Sequence, residues 1–177
     1  MHSAEGFVPS VRRTARRSFG TMGAYLQWKG RAVKISIASD HAGFEEKELL
    51  RVYLAELGHE VIDRGPDSDA RVDYPDFAAL VAADVAAGEA ERGVLVCGTG
   101  IGMAVAANKV HGIRAANVTS PEFAALAREH NDANIVTVSG RFVDDETNRA
   151  IVRTFLETEF AGGRHTGRVA KIMALEN

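Results

Sequence analysis

The chain has 177 residues, 46% of them apolar and 25% charged, with a formal net charge of −3, an ordinary balance for one globular domain with room for a real core. No run approaches the ~20 apolar residues of a membrane helix, so no membrane contact is expected. The one cysteine excludes an internal disulfide and any zinc site built on two thiolates, which points to a reducing, cytoplasmic setting.

The charge is uneven along the chain. Residues 1–33 carry six basic side chains and one acid, a net of +5; the rest carries 15 basic and 23 acidic side chains, a net of −8. An acidic body argues against nucleic acid as a partner. Residues 1–32 have an Arg-rich composition without the apolar core of a secretory signal. They read as a basic, disordered and dispensable extension, with Met22 a candidate internal start. Residues 33–177 read as a single domain.

From Val33 the pattern turns regular. "VKISIAS" alternates like a strand, and "FEEKELLRVYLAEL" follows as a helix with Leu50, Leu54 and Leu57 at helical spacing and Gly58 as its stop. "HEVID" is a second strand. The polar loop "RGPDSDARVDYP" leads to a helix carrying Phe77, Leu80, Val81 and Val85 and closed by Gly88. "GVLVC" has no polar alternation and reads as a strand buried on both faces. A helix starts near Gly102, and "GIRAANV" is the next strand. "TSPEFAALAREH" opens with Ser120 as N-cap and Pro121 at the first helical position. "NIVTVSG" is the fifth strand. "DDETNRAIVRTFLETEF" stripes Ile151, Val152, Phe155 and Leu156 along a helix, and "HTGRVAKIMALE" is a last short one. Strands alternating with helices in this way give an α/β fold: a Rossmann-like three-layer sandwich on a five-stranded parallel sheet.

In such sheets ligands sit beyond the carboxyl ends of the strands, so the segments to read for chemistry are "SDHAG", "CGTGIG", "TSPE" and "SGR". Gly98, Gly100 and Gly102 read G-x-G-x-G, which is not the dinucleotide fingerprint, and no P-loop is present. Glycines and amides at a helix start still suit an anion, and the same field favours a thiolate at Cys97. A lone cysteine ending an apolar strand is otherwise a small buried hydrophobe; the glycine turn beside it argues for function. Taken singly, Asp40 and His41 read equally as an N-cap and a surface histidine. His130 and Asn131 read as a helix end and its cap, and Arg141, Arg164 and Arg168 as solvated loop arginines. Tyr74 reads as a pocket wall or a packing residue. No His, Asp or Glu pair stands at metal-ligand spacing.

Together, "SDHAGFEEK", "DYPDFA", "CGTGIGMAVAANK", "GIRAA", "HNDANI" and "GGRHTGRV" resemble the ribose-5-phosphate isomerase B family, which also holds the galactose-6-phosphate isomerase subunits, from Lys34 to about Leu175. The resemblance implies an aldose–ketose isomerase that works through an enediolate with no metal or organic cofactor. It implies Cys97 as the base, the turn Gly98, Thr99, Gly100, Ile101 and Gly102 as the anion hole with Thr99 relaying a proton, and His130 as the residue that opens the furanose ring. Asp40 and Asn131 then hold sugar hydroxyls, Tyr74 walls the pocket, and His41, Arg141, Arg164 and Arg168 take the phosphate. Some relatives carry a Glu where Met103 stands; methionine accepts no proton, so this chain resembles the cysteine type. The resemblance also implies a homodimer, in some members a tetramer. Its C-terminal helix packs on the partner, and His130, Asn131 and Arg141 reach the partner's site. An isomerase for galactose 6-phosphate, allose 6-phosphate or a tetrose phosphate, and a non-catalytic phosphosugar-binding module, remain the alternatives.

Overall fold

The computed structural model describes residues 30–176. The basic extension expected over residues 1–32 lies, up to residue 29, outside the described residues. At its end Arg31 pairs with Glu91, one of its hydrogen bonds being 2.9 Å.

The strands are β1 (Lys34–Ser39), β2 (Glu60–Asp63), β3 (Arg92–Cys97), β4 (Ala115–Asn117) and β5 (Ile135–Ser139). Between and after them run α1 (Phe44–Glu56), α2 (Tyr74–Ala87), α3 (Ile101–Ala107), α4 (Pro121–Asn131), α5 (Asp145–Glu157) and α6 (Thr166–Met173), the last flanked by 3-10 turns. The five strands form one sheet in the order β2-β1-β3-β5-β4, with every pairing parallel.

The apolar runs explain the layers. Successive side chains of a strand point to opposite faces. Val94 and Val96 of β3 enter the core beneath α1, α4 and α5, while Leu95 and Cys97 enter the core beneath α2 and α3. A strand covered on both faces therefore needs apolar residues at every position, as "GVLVC" has. The stripe on α5 behaves as its spacing expects: Ile151, Val152 and Phe155 are buried and Leu156 partly so. Of the four apolar residues expected to face the core from α2, Val81 is fully buried, Phe77 and Val85 pack at its edge, and Leu80 is exposed; Ala78 and Ala82 complete the buried face. Pro121 opens α4 as expected, but the Ser120 side chain makes no capping bond.

Two features differ from the expected pattern, and a third was not read from the sequence. First, β4 spans three residues. The Asn108 amide takes both the N–H and the carbonyl of Ala115, at 2.8 Å each, and Asn134 brackets Gly112 and Arg114 in the same way. Side chains thus replace a neighbouring strand along this edge. Second, α2 begins at Tyr74, so that residue is helical rather than part of the loop. Third, β5 lies between β3 and β4. The chain turns to opposite sides of β1 when it adds β2 and β3, which opens the crevice of this sheet at the carboxyl ends of β1 and β3.

Candidate active site

Cys97 closes β3 at that crevice. It is nearly buried, and its Sγ accepts the Gly100 N–H at 3.0 Å. The turn can curl back on the sulfur because Gly100 is left-handed, with φ +79. A side chain there would collide with the Asn117 amide and lie 3.0 Å from the Val138 carbonyl oxygen. Asn117 holds the turn from the other side, donating to the Thr99 carbonyl at 3.3 Å and to the Thr137 hydroxyl at 3.1 Å. The Ile101 N–H donates to Thr99 Oγ1 at 3.3 Å. Ile101 itself is exposed, while Met103 is fully buried below the turn.

The neighbouring strand ends converge here. Asp40, also nearly buried, accepts the N–H groups of Ala42 and Gly43 at 2.9 and 3.0 Å through Oδ1, which closes the tight turn into α1. His41 Nδ1 lies 3.3 Å from the Val72 carbonyl oxygen and so pins the loop before α2. The Tyr74 ring lies against Gly102, so close that a Cβ there would meet it at 2.9 Å. The Ser139 hydroxyl donates to the Gly98 carbonyl at 2.8 Å and accepts the Phe142 N–H at 2.9 Å. This draws the turn after β5 against the Cys97 turn, and the Arg141 side chain packs over Gly98.

His130 and Asn131 are elsewhere. They end α4, which runs back from the crevice to the amino edge of the sheet, where the Gly93 N–H donates to the Asn134 carbonyl. One strand length, about 15–20 Å, separates them from Cys97. Asn131 is the last helical residue, not the cap: Asp132 caps α4 in a left-handed conformation, φ 47, held by Arg128 and Arg114. His130 stacks on His165 with ring centroids 4.2 Å apart and planes 8° from parallel. Arg164 Nε donates to His165 Nε2 at 3.3 Å. Burial, then the neighbouring His130, Arg164 and Arg168, hold the His165 imidazole below its ordinary value and favour its neutral form. The candidates thus fall into two groups. Asp40, His41, Tyr74, the Cys97 turn and Arg141 share one end of the sheet; His130, Asn131, Arg164 and Arg168 share the other. Arg141, expected to act from a partner beside the other arginines, belongs with Cys97 of its own chain because Ser139 ties its turn there.

Two residues with structural parts in these groups had no assigned role in the sequence. His165 stands inside "GGRHTGR", between two arginines, which is the one textual signal it offers. Asn117 offers none. Among the described residues no group of three or more His, Cys, Asp or Glu could hold a metal ion, and no helix is long and apolar enough to cross a membrane.

A small anion bearing hydroxyls suits the Cys97 crevice, which is where α/β proteins of this parallel class place their ligands. Comparison with known proteins shows the family. The chain matches the ribose/galactose isomerase family over residues 35–172. Ribose-5-phosphate isomerase B of Escherichia coli is 46% identical over 143 residues, covering 81% of this chain and 96% of that protein. A ribose 5-phosphate isomerase structure from Thermotoga maritima superposes with a TM-score of 0.80 at 51% identity, covering 81% of this chain and 99% of that one. Ribose-5-phosphate isomerase B of Mycoplasma genitalium, solved with bound ribulose-5-phosphate, superposes with a TM-score of 0.78 at 48% identity, covering 81% and 95%. The chain belongs to the ribose/galactose isomerase family.

Proposed function

We propose that the chain interconverts ribose 5-phosphate and ribulose 5-phosphate, and that its working unit is a homodimer in which the Cys97 group of one copy meets the His130 group of the other. The observation that carries the chemistry is the Cys97 sulfur at the switch point, held by the Gly100 N–H at 3.0 Å. In this reading the sulfur is the base, and the Gly100 N–H is the donor aimed at it.

In this reading His130 takes the proton of the anomeric hydroxyl and returns one to the ring oxygen, which opens the furanose. The Cys97 thiolate removes the proton at C2 of the open aldose. Negative charge gathers on O1 of the enediolate, facing the amides of Gly98 to Gly102, where donors aimed at developing charge act most strongly. Thr99 relays the hydroxyl proton between O2 and O1. Cys97 returns its proton at C1 and is a thiolate again, so no proton or electron is gained or lost. Asp40 uses Oδ1 on its own turn and leaves Oδ2 for a sugar hydroxyl; Asn131 holds another. Tyr74 and Ile101 wall the crevice. His41 and Arg141 meet the phosphate from one copy, and Arg164 and Arg168 from the other, as charge-assisted partners.

The exposed apolar residues support a second copy. Ile101 and Val105 on α3 and Phe123 on α4 are each 57–59% exposed, on helices that flank the β4 edge. On α6, Met173 receives the Arg114 guanidinium at 3.3 Å and Glu176 beyond it receives the Gly112 N–H, so the helix is tethered to its own chain while Ile172 and Leu175 stay exposed.

Turnover in heavy water on ribose 5-phosphate, allose 6-phosphate, galactose 6-phosphate and erythrose 4-phosphate tests the reading. Ribose 5-phosphate is expected to turn over fastest, with deuterium entering carbon. A faster hexose would reassign the substrate, and absence of exchange with all four would make the chain a binding module.

A further inference from the structure

Asp132 follows His130 and Asn131 and turns the chain out of α4 with φ 47, the single positive φ outside glycine among the described residues. Side chains resist that conformation, though aspartate tolerates it better than most. Two arginines grip its carboxylate from different parts of the chain. Arg128, on α4 and 2% exposed, donates to Oδ1 at 2.7 Å. Arg114, ahead of β4, donates to Oδ2 at 2.9 Å.

The same guanidinium groups bind the backbone around it. Arg114 Nε donates to the Asp132 carbonyl at 2.8 Å and to the Asn131 carbonyl at 3.2 Å, and its Nη1 reaches Met173 of α6 at 3.3 Å. Arg128 donates to the Ala133 carbonyl at 2.6 Å and, through Nε, to the carbonyl of Thr158 at the end of α5 at 3.2 Å. These bonds converge on the last turn of α4, where His130 lies stacked on His165. A helix cap needs none of them, because glycine adopts the left-handed turn at less cost. What calls for a carboxylate at this position is the pair of arginines.

We propose that Asp132, gripped between Arg114 and Arg128, is a positioning residue for the ring-opening half of the site. It fixes the end of α4 so that the His130 imidazole and the Asn131 amide keep one orientation toward the Cys97 crevice of the other copy. Through Arg114 and Met173 it also joins them to α6, which bears Arg168. The inference rests on the isomerase reading. The last turn is the part of a helix that frays, and here that turn carries His130. A displacement of about 1 Å in a reacting group is enough to cost ~10²-fold in rate. Asp132 itself touches no reacting atom.

Variants of the full chain separate this role from that of a cap. Asp132→Gly suits the left-handed turn and removes both carboxylate bonds; Asp132→Asn tolerates the turn and keeps one acceptor oxygen. Turnover of saturating ribose 5-phosphate is expected to fall ~10–10²-fold in Asp132→Gly and less in Asp132→Asn, the reverse of the order that turn conformation alone would give. Ribulose 5-phosphate has no ring to open, because its C5 hydroxyl carries the phosphate. Exchange of solvent deuterium into its C1 therefore needs Cys97 and not His130, and at saturation is expected to stay within about threefold of the parent. Proton NMR of the histidine rings, assigned with His130→Gln, reads the placement without activity: stacked rings shift one another's signals, and the His130 signal is expected to move toward that of free histidine in Asp132→Gly. Arg114→Gln leaves the Asp132 turn in place and is expected to slow ribose 5-phosphate turnover with the same sparing of exchange, so it carries the comparison if Asp132→Gly does not fold. Parent-like turnover in the folded variant overturns the proposal. So does an equal loss of turnover and exchange, or a His130 signal that stays where it is. A chain that isomerises no phosphosugar while its His130 signal moves in Asp132→Gly would overturn the isomerase reading and leave the positioning of His130 standing.

Discussion

In the proposed mechanism Cys97 is the base, and the Gly100 N–H is the donor that meets its sulfur. Cys97→Ala is expected to lower turnover by ~10²–10⁴-fold while the thermal midpoint stays close to the parent's, since a methyl group still fills part of the α2–α3 core; kcat and Tm measured side by side check it. Gly100→Ala is the converse case. Its left-handed φ of +79 and the crowding by Asn117 and Val138 mean that both fold and site are disturbed. It is expected to cost about 1–3 kcal/mol in urea unfolding and to lower kcat at least as far as loss of one oxyanion donor does, ~10²-fold. The Cys97 turn was legible in the sequence because three alternate glycines beside a thiol have a conformational reason to be there. Arg114 and His165 were not: each looks like an ordinary helix or loop residue, and what distinguishes it is a neighbour far away in sequence.

At the scale of elements, the helices and strands followed from periodicity and caps, and their order in the sheet did not. The apolar run of β3 says that it is buried on two faces, but nothing in it or in β5 says that the two lie side by side. β4 is shorter than its text because Asn108 and Asn134 occupy its backbone from the side, and side-chain-to-backbone bonds of that kind leave no periodic trace. Tyr74 could be read as a wall but not as the first residue of α2. The division of the candidate residues between the two ends of the sheet follows from α4 running back along β5, so it too needed the fold. Subunit mixing tests the proposed joining of the two groups. Cys97→Ala and His130→Ala homodimers are each expected to be nearly inactive. Randomly mixed, they are expected to recover about a quarter of the parent rate, because half the dimers then hold one intact site. No recovery after verified subunit exchange would place both residues in the site of one chain.

Over the whole molecule, buried ionisable groups set how stability changes with pH. Burial holds His59 and His165 below the ordinary histidine value of 6.5. Unfolded, they bind protons more readily than in the fold, so stability is fully present above 6.5 and falls as pH drops below it. Glu46, raised by its burial on α1 above its ordinary 4.5, has the opposite slope: stability falls as pH rises from 4.5 through its raised value and then levels off. Urea midpoints across this range are expected to fall on the acid side in the parent and less steeply in His59→Gln, while Glu46→Gln removes the alkaline-going decline. The separation of Cys97 from His130 by the length of a β-strand has a consequence for rates. If each chain holds half of the chemistry, specific activity depends on mass action between chains: near and below the dissociation constant it falls on dilution, and the initial rate approaches the second power of total protein. A rate that stays proportional to protein after the chains have come apart would mean that one chain is enough.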